Sequence, residues 1–358
     1  MLPTGKAAET ASGHPTASEC ATLLLADPIP KSTALPVFVL FVLSPLIAEV
    51  LLGATPLTHI AGLFIVAPFY GCGVLIIREL VRRRTTSWWP IILFGMAYML
   101  IEEGLTLQAL FNPDFVNAAK FGGRWLGVNF VLTQWEAGYH VVWSISIPIL
   151  ITDLGFPDQR THRWLGRFGL RVCVIVYVLA ALVLGAAFRK MIMPGFHAPF
   201  MHLVITAALA CAFVISALTW PRVETFTNSV QRPVPRPTPP WWLVGILAAT
   251  WAVSLFGLFA IPSSIRPTNA VAIFMLAQLG FTAVLVWRLK IISTNNPAWT
   301  DAHRWALVFG PVLVSSSFGL FSVTAHNRID QIGVASFAVA TLSTLLIVAK
   351  HRARSLPR

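Results

Sequence analysis

Apolar residues run along this chain in long unbroken stretches separated by short polar breaks. A membrane-crossing helix needs about 20 mostly apolar residues. Ten windows meet that length: 33–53, 58–80, 88–110, 130–152, 168–188, 199–219, 241–262, 267–288, 303–324 and 331–349. Stretches such as Val37–Leu43 and Val172–Leu184 are apolar at every position. A membrane β-barrel would instead alternate apolar and polar residues. The pattern therefore predicts an all-α, polytopic integral membrane bundle of about ten helices.

The polar breaks divide the chain. Residues 1–31 form a polar tail that lacks the basic-then-apolar order of a signal peptide. Residues 32–219 form a six-helix unit, and 241–349 a four-helix unit. Between them, 220–240 contains "RPVPRPTPP", a stiff and non-helical composition. Residues 350–358 are a basic tail. Ionisable side chains at membrane depth belong to the six-helix unit, so function is assigned there and support or assembly to the four-helix unit. No internal repeat links the two units beyond Trp88–Trp89 and Trp241–Trp242 at span starts.

Composition agrees with a membrane location. Hydrophobic residues make up 56% of the 358 and charged residues 11%, with a mean hydropathy of +0.73. A soluble domain carries about 25% charged residues, and a disordered chain is poor in apolar ones. The net charge of +12 would suggest nucleic acid in a soluble protein. Here it sorts by loop instead. With the N-terminus inside, the outer loops hold only Lys120, Arg124, Arg189, Lys190, Arg266 and Arg328, and every other Lys and Arg falls inside. The positive-inside rule then places both termini in the cytoplasm of a plasma-membrane protein. The inner bases suit anionic lipid rather than nucleic acid. Arg78 and Glu79 are expected to form a boundary pair or meet a headgroup, and Asp153 to be solvated.

Charge inside the spans carries the functional signal. A carboxylate at mid-helix costs at least about 2.5–3.5 kcal/mol on insertion scales. Span one contains Glu49, span three Glu102 and Glu103, and span four Glu136 and His140. At about 1.5 Å of rise per residue, Glu49 and Glu102 each lie about 21 Å from the inner surface. Glu136 lies about 9 Å from the outer one. In a core of about 30 Å, these depths coincide in one layer. Glu136, His140 and Ser144 share a helix face, as do Tyr98, Glu102 and Thr106. Glu103 sits about 100° from Glu102, so one of the two is expected to enter the site and the other to bond a neighbouring helix. Such a layer cannot stay fully ionised without protons or a cation to neutralise it.

Glu102, Glu103, Glu136 and His140 are thus the expected proton-coupling or acid–base residues, and Glu49, Tyr98, Ser144 and Arg124 the expected ligand-binding ones. Arg124 belongs to the longest outer loop, Asn112–Asn129, which has the length to fold over the site as a lid. Glu103, Glu136, His140 and His202 are the residues that could hold a divalent metal. The four cysteines are widely spaced, without a C-x-x-C.

No phosphate loop, dinucleotide fingerprint or serine nucleophile elbow is present. Glu102–Glu103 followed by a histidine on the next span is similar in outline to the membrane-embedded CAAX-type proteases, which implies that such a layer can be catalytic. Against that family's E-E-x-x-x-R, the Arg position here is Leu107. Glu136 stands where the family has Phe, and His202 is followed by Leu203-Val204-Ile205-Thr206 rather than by the family's H-x-x-x-N. The chain is not assigned to it. Three functions fit the residues. A proton- or cation-coupled transporter of a small-molecule or lipid substrate is favoured, because kinked spans without a catalytic motif suit a permease. The others are an embedded hydrolase, metal-assisted or not, and a non-catalytic assembly or lipid-binding protein.

Overall fold

Helices form where the apolar runs predict them. The computed structural model describes residues 32–55, 57–221, 235–264, 268–323 and 328–355. The expected 1–31 tail, most of the proline-rich 220–240 segment, Arg266 and His326 lie outside the described residues. The long helices are α1 (Ala34–Pro45), α2 (Leu63–Arg82), α3 (Trp89–Met99), α4 (Phe130–Tyr139), α5 (Ile147–Gly155), α6 (Arg167–Ala187), α7 (Phe200–Thr219), α8 (Trp241–Ser264), α9 (Thr268–Ser293), α10 (Asp301–Phe318) and α11 (Arg328–Ser355). The chain is an all-α polytopic membrane bundle. Among the described residues, eight helical stretches are long and apolar enough to cross a bilayer. The first predicted span is a shorter apolar helix, Ala34–Val50. The third runs from Trp89 through a π turn ending at Thr106, short of the predicted 110.

The stretch Phe130–Gly155, which joins α4 to α5, is the central one, with 67% of its apolar window buried. Arg167–Ile192 and Ala270–Ser293 are only 11% buried and leave apolar side chains facing outward, as lipid-facing helices do. Trp143 is fully buried and stacks on Tyr139 at 5.1 Å and on Trp251 of α8 at 5.7 Å. Its indole N–H donates to the Pro311 carbonyl of α10 at 3.2 Å. The helices of the second half therefore pack directly on the central span.

Three of the five π turns among the described residues matter for the site: Leu46–Val50 after α1, Leu100–Thr106 after α3, and His140–Ser146 between α4 and α5. Prolines adjoin two of them. Pro45 ends α1, and Pro148 opens α5. A proline lacks an N–H and pushes away the carbonyl four residues earlier. For Pro148 that carbonyl belongs to Ser144, and the Ser44 hydroxyl of α1 donates to it at 2.7 Å. A backbone group freed inside the membrane is thus satisfied by a neighbouring helix, as it must be in lipid.

Close packing elsewhere rests on small residues. A side chain at Gly310 of α10 would begin 2.5 Å from the Gly245 carbonyl oxygen and 2.9 Å from the Ala249 nitrogen of α8. Small residues four apart let membrane helices approach in this way. Gly310→Leu is expected to lower stability by about 1–3 kcal/mol through overpacking, read as an earlier thermal unfolding in detergent. An unchanged transition would show that α8 and α10 do not meet there.

The C-terminal end of α2 departs from expectation. Arg78 is not paired with Glu79, and Asp153 is not solvated. Arg78 is 1% exposed and Asp153 6%. The Arg78 guanidinium pairs with Asp153 at 3.2 Å, donates to the carbonyls of Gln159, Arg160 and His162, and lies 3.1 Å over the Trp164 ring. Arg82 takes the other Asp153 oxygen at 3.0 Å. Glu79 accepts from the Trp164 and Leu165 backbone N–H groups and pairs with Arg83. Two adjacent residues of opposite charge point to different partners because consecutive helical positions face different sides. Together they lock the segment after α5 onto α2, rather than meeting lipid.

Candidate functional site

A single imidazole gathers the acids. His140 Nε2 lies 3.3 Å from Glu103 Oε1 and 3.3 Å from Glu136 Oε2. His140 Nδ1 lies 3.3 Å from Glu102 Oε2 and shares a hydrogen bond of 3.0 Å with the Ser144 hydroxyl. All of these side chains are buried, with Glu102 and His140 each 2% exposed. His140 is the neighbour that all three carboxyl groups share. Two ring nitrogens carry at most two protons, yet four oxygens crowd them. Burial without full satisfaction is costly.

The local backbone explains how this many groups converge. Glu102 and Glu103 both reach the ring, one at each nitrogen, instead of dividing between the site and another helix. The reason is the π turn: the Leu107 N–H bonds to the Glu102 carbonyl, five residues back. A π turn widens the helix and shifts the directions of successive side chains away from α-helical spacing. His140 and Ser144 lie in the second such turn, and Glu49 in the third. Single π turns are rare and often occur at functional sites. The end of the Leu100–Thr106 turn is held by Arg189, whose guanidinium donates to the Thr106 carbonyl at 3.0 Å. A cation suits a helix C-terminus.

Glu49 is set apart from the ring. It is half-buried and accepts hydrogen bonds from Tyr70 at 2.7 Å and Thr55 at 2.8 Å. Tyr70 forms the bridge, since its ring lies 6.2 Å from that of His140. Tyr98 also faces the site, 5.7 Å from His140, and its buried hydroxyl has no hydrogen-bond partner. Arg124 is exposed and donates to the Phe111 carbonyl, so it does not neutralise the acids. It lies in a small hairpin, β1 (Arg124–Trp125) with β2 (Val128–Asn129), whose Asn129 caps α4 through the Leu132 N–H at 2.8 Å. His202 Nε2 bonds the Leu126 carbonyl at 2.7 Å, also away from the cluster. Arg124 and His202, both expected at the site, are thus held by backbone carbonyls away from it.

Sequence reasoning passed over Tyr70, Tyr139 and Tyr177. The chain has four tyrosines, and all four surround this site. Tyr70 and Tyr98 are 5.9 Å apart, Tyr98 and Tyr177 6.2 Å, and Tyr139 donates to the Ala48 carbonyl beside Glu49 at 2.7 Å. Tyrosines usually favour the membrane interface. Four of them at mid-span were the signal that could have pointed to this place.

The bundle and its buried Glu–His cluster define a multi-pass membrane protein with ionisable chemistry inside the membrane. A family profile described as "Uncharacterized membrane protein family" matches residues 38–358. The chain belongs to that family. No curated protein and no solved structure matches it.

Proposed function

We propose that this protein is a cation-coupled transporter of the plasma membrane, with both termini in the cytoplasm and the coupling ion bound at Glu102, Glu103, Glu136 and His140. The observation that carries this reading is the seat of these groups. Glu49, Glu102, Glu103 and His140 all lie in π turns of separate spans. Ion sites in transporters typically form where membrane helices are broken. A π turn can pass to α geometry by moving one hydrogen bond along the chain, which re-aims its side chains. The six-helix unit, 32–219, supplies these groups, and the four-helix unit, 241–349, braces the central span through Trp251 and Pro311.

The test is flux. Proteoliposomes loaded with candidate solutes are expected to accumulate one of them only when a cation gradient is imposed, and Glu103→Gln is expected to abolish that accumulation. Uptake indifferent to every cation gradient would overturn the reading. A second reading, an embedded hydrolase, is favoured by one observation: Glu102, Glu103 and His140 each offer a ligand atom, all within 4.8 Å of one another. That is enough to hold a water-activating ion. Release of a cleaved product without any dependence on a gradient would select it.

A further inference from the structure

We propose that Glu102, Glu103 and His140, with Glu136 beside them, bind one divalent transition-metal ion of the zinc class. The proposal deepens the cation-coupled reading by naming the ion and its ligands, and it rests on that reading only for the ion's role.

Charge-assisted hydrogen bonds from a ring N–H to a carboxylate close to about 2.7–2.9 Å. Here the three carboxylate contacts to His140 all stand at 3.3 Å. Zinc bonds nitrogen and oxygen at about 2.0–2.2 Å in tetrahedral geometry, which sets neighbouring ligand atoms about 3.3–3.5 Å apart. The Glu103 and Glu136 oxygens beside Nε2 stand at the spacing of ligands around one ion, and Glu102, which approaches Nδ1, still offers a ligand atom within 4.8 Å of those of Glu103 and His140.

Unused bonding capacity supplies the second observation. Glu103 Oε2 and the Tyr98 hydroxyl are buried and have no hydrogen-bond partner, although Glu103 is only 5% exposed and Tyr98 2%. Glu102 Oε2 is also without a hydrogen bond, despite its approach to Nδ1. Buried polar atoms left in this state need a partner.

The donor set then selects the ion. With the ring proton on Nδ1 and donated to the Ser144 oxygen, Nε2 keeps its lone pair. A ligating histidine is usually oriented by such an outer hydrogen bond on its other nitrogen. Magnesium and calcium prefer all-oxygen sites, whereas imidazole with carboxylate suits zinc and its neighbours. One divalent charge against three carboxylates leaves a net charge of about −1 in place of −3, which lowers the penalty that the ionised acids would otherwise carry.

The experiment uses the full chain, purified in detergent without a histidine tag and stripped with chelator. Dialysis against Zn²⁺ or Co²⁺ alone is expected to restore about one equivalent per chain, with X-ray absorption showing nitrogen and oxygen at about 2.0–2.1 Å, imidazole outer-shell scattering and no sulfur. His140→Ala is expected to lose the ion, and Ser144→Ala to bind it about ten-fold or more weakly. Asp301→Asn, away from the site, is expected to bind as wild type does. Wild type that binds no more ion than His140→Ala overturns the proposal. So does an absorption spectrum lacking imidazole, which needs no variant to fold. Metal binding with no gradient-dependent uptake would overturn the transport reading and leave the site standing. Uptake driven by another cation in metal-free protein would do the reverse.

Discussion

His140→Ala is expected to destabilise the protein more than any other single change at the site, by about 3–5 kcal/mol, the range seen when one partner of a buried charge pair is removed. The imidazole contacts Glu102, Glu103 and Glu136, each at 3.3 Å. Without it, three buried carboxyl groups lose the hydrogen-bonding neighbour they share. Thermal unfolding followed by tryptophan emission would show the loss. The sharper measurement is a double-mutant cycle. His140→Ala made in a Glu103→Gln background should lose less, because one of the carboxylates has become a neutral amide, and a coupling of about 0.5–3 kcal/mol is expected for groups in contact. Losses that add without coupling would mean that the ring and the acid do not interact.

Arg78→Ala is expected to lose about 3–5 kcal/mol as well, on the same principle, at the opposite end of the central span. One guanidinium there satisfies Asp153 and three carbonyls while stacking on Trp164. Arg78→Lys should recover little of this. An ammonium is a point charge with three donors and cannot reproduce the planar fork. Asp153→Asn combined with Arg78→Ala should be milder than Arg78→Ala alone, since the acid left with Arg82 as its one remaining partner is neutralised. Proteolysis within 156–166 reports the same event: that segment should be cut in Arg78→Ala and protected in wild type. Equal protection in both would show that Arg78 does not hold it.

The sequence makes much of this arrangement legible, and physics explains the remainder. Apolar run length places the spans because a bilayer admits few alternatives. The rise per residue puts Glu49, Glu102 and Glu136 at one depth; the structure brings Glu102 and Glu136, with Glu103, to one ring and leaves Glu49 on Tyr70 and Thr55. The i, i+4, i+8 stripe of Glu136, His140 and Ser144 survives because its first member precedes the π turn and the others bond locally. Glu102 and Glu103 were misjudged because an α-helical angle was applied where the helix is π. Composition carries no mark of that change beyond Pro148 and Pro45 near two of the three turns. The partners of Arg78 and Asp153 differ from expectation because they lie 71 or more positions away in sequence, and a pattern read along one helix cannot find them. Arg124 and His202 have the right chemistry for the site, but backbone carbonyls nearer to hand hold them.

The bond from Ser44 to the Ser144 carbonyl carries a consequence for how the family can vary. The hydroxyl on one helix is needed because the proline on another has opened a carbonyl. A relative that replaces Pro148 with a residue bearing an N–H closes its own backbone and strands the hydroxyl. A relative that replaces Ser44 with alanine strands the carbonyl. Either step alone is penalised and both together are tolerated. Inheritance should therefore keep positions 44 and 148 in step, although 103 residues of chain lie between them.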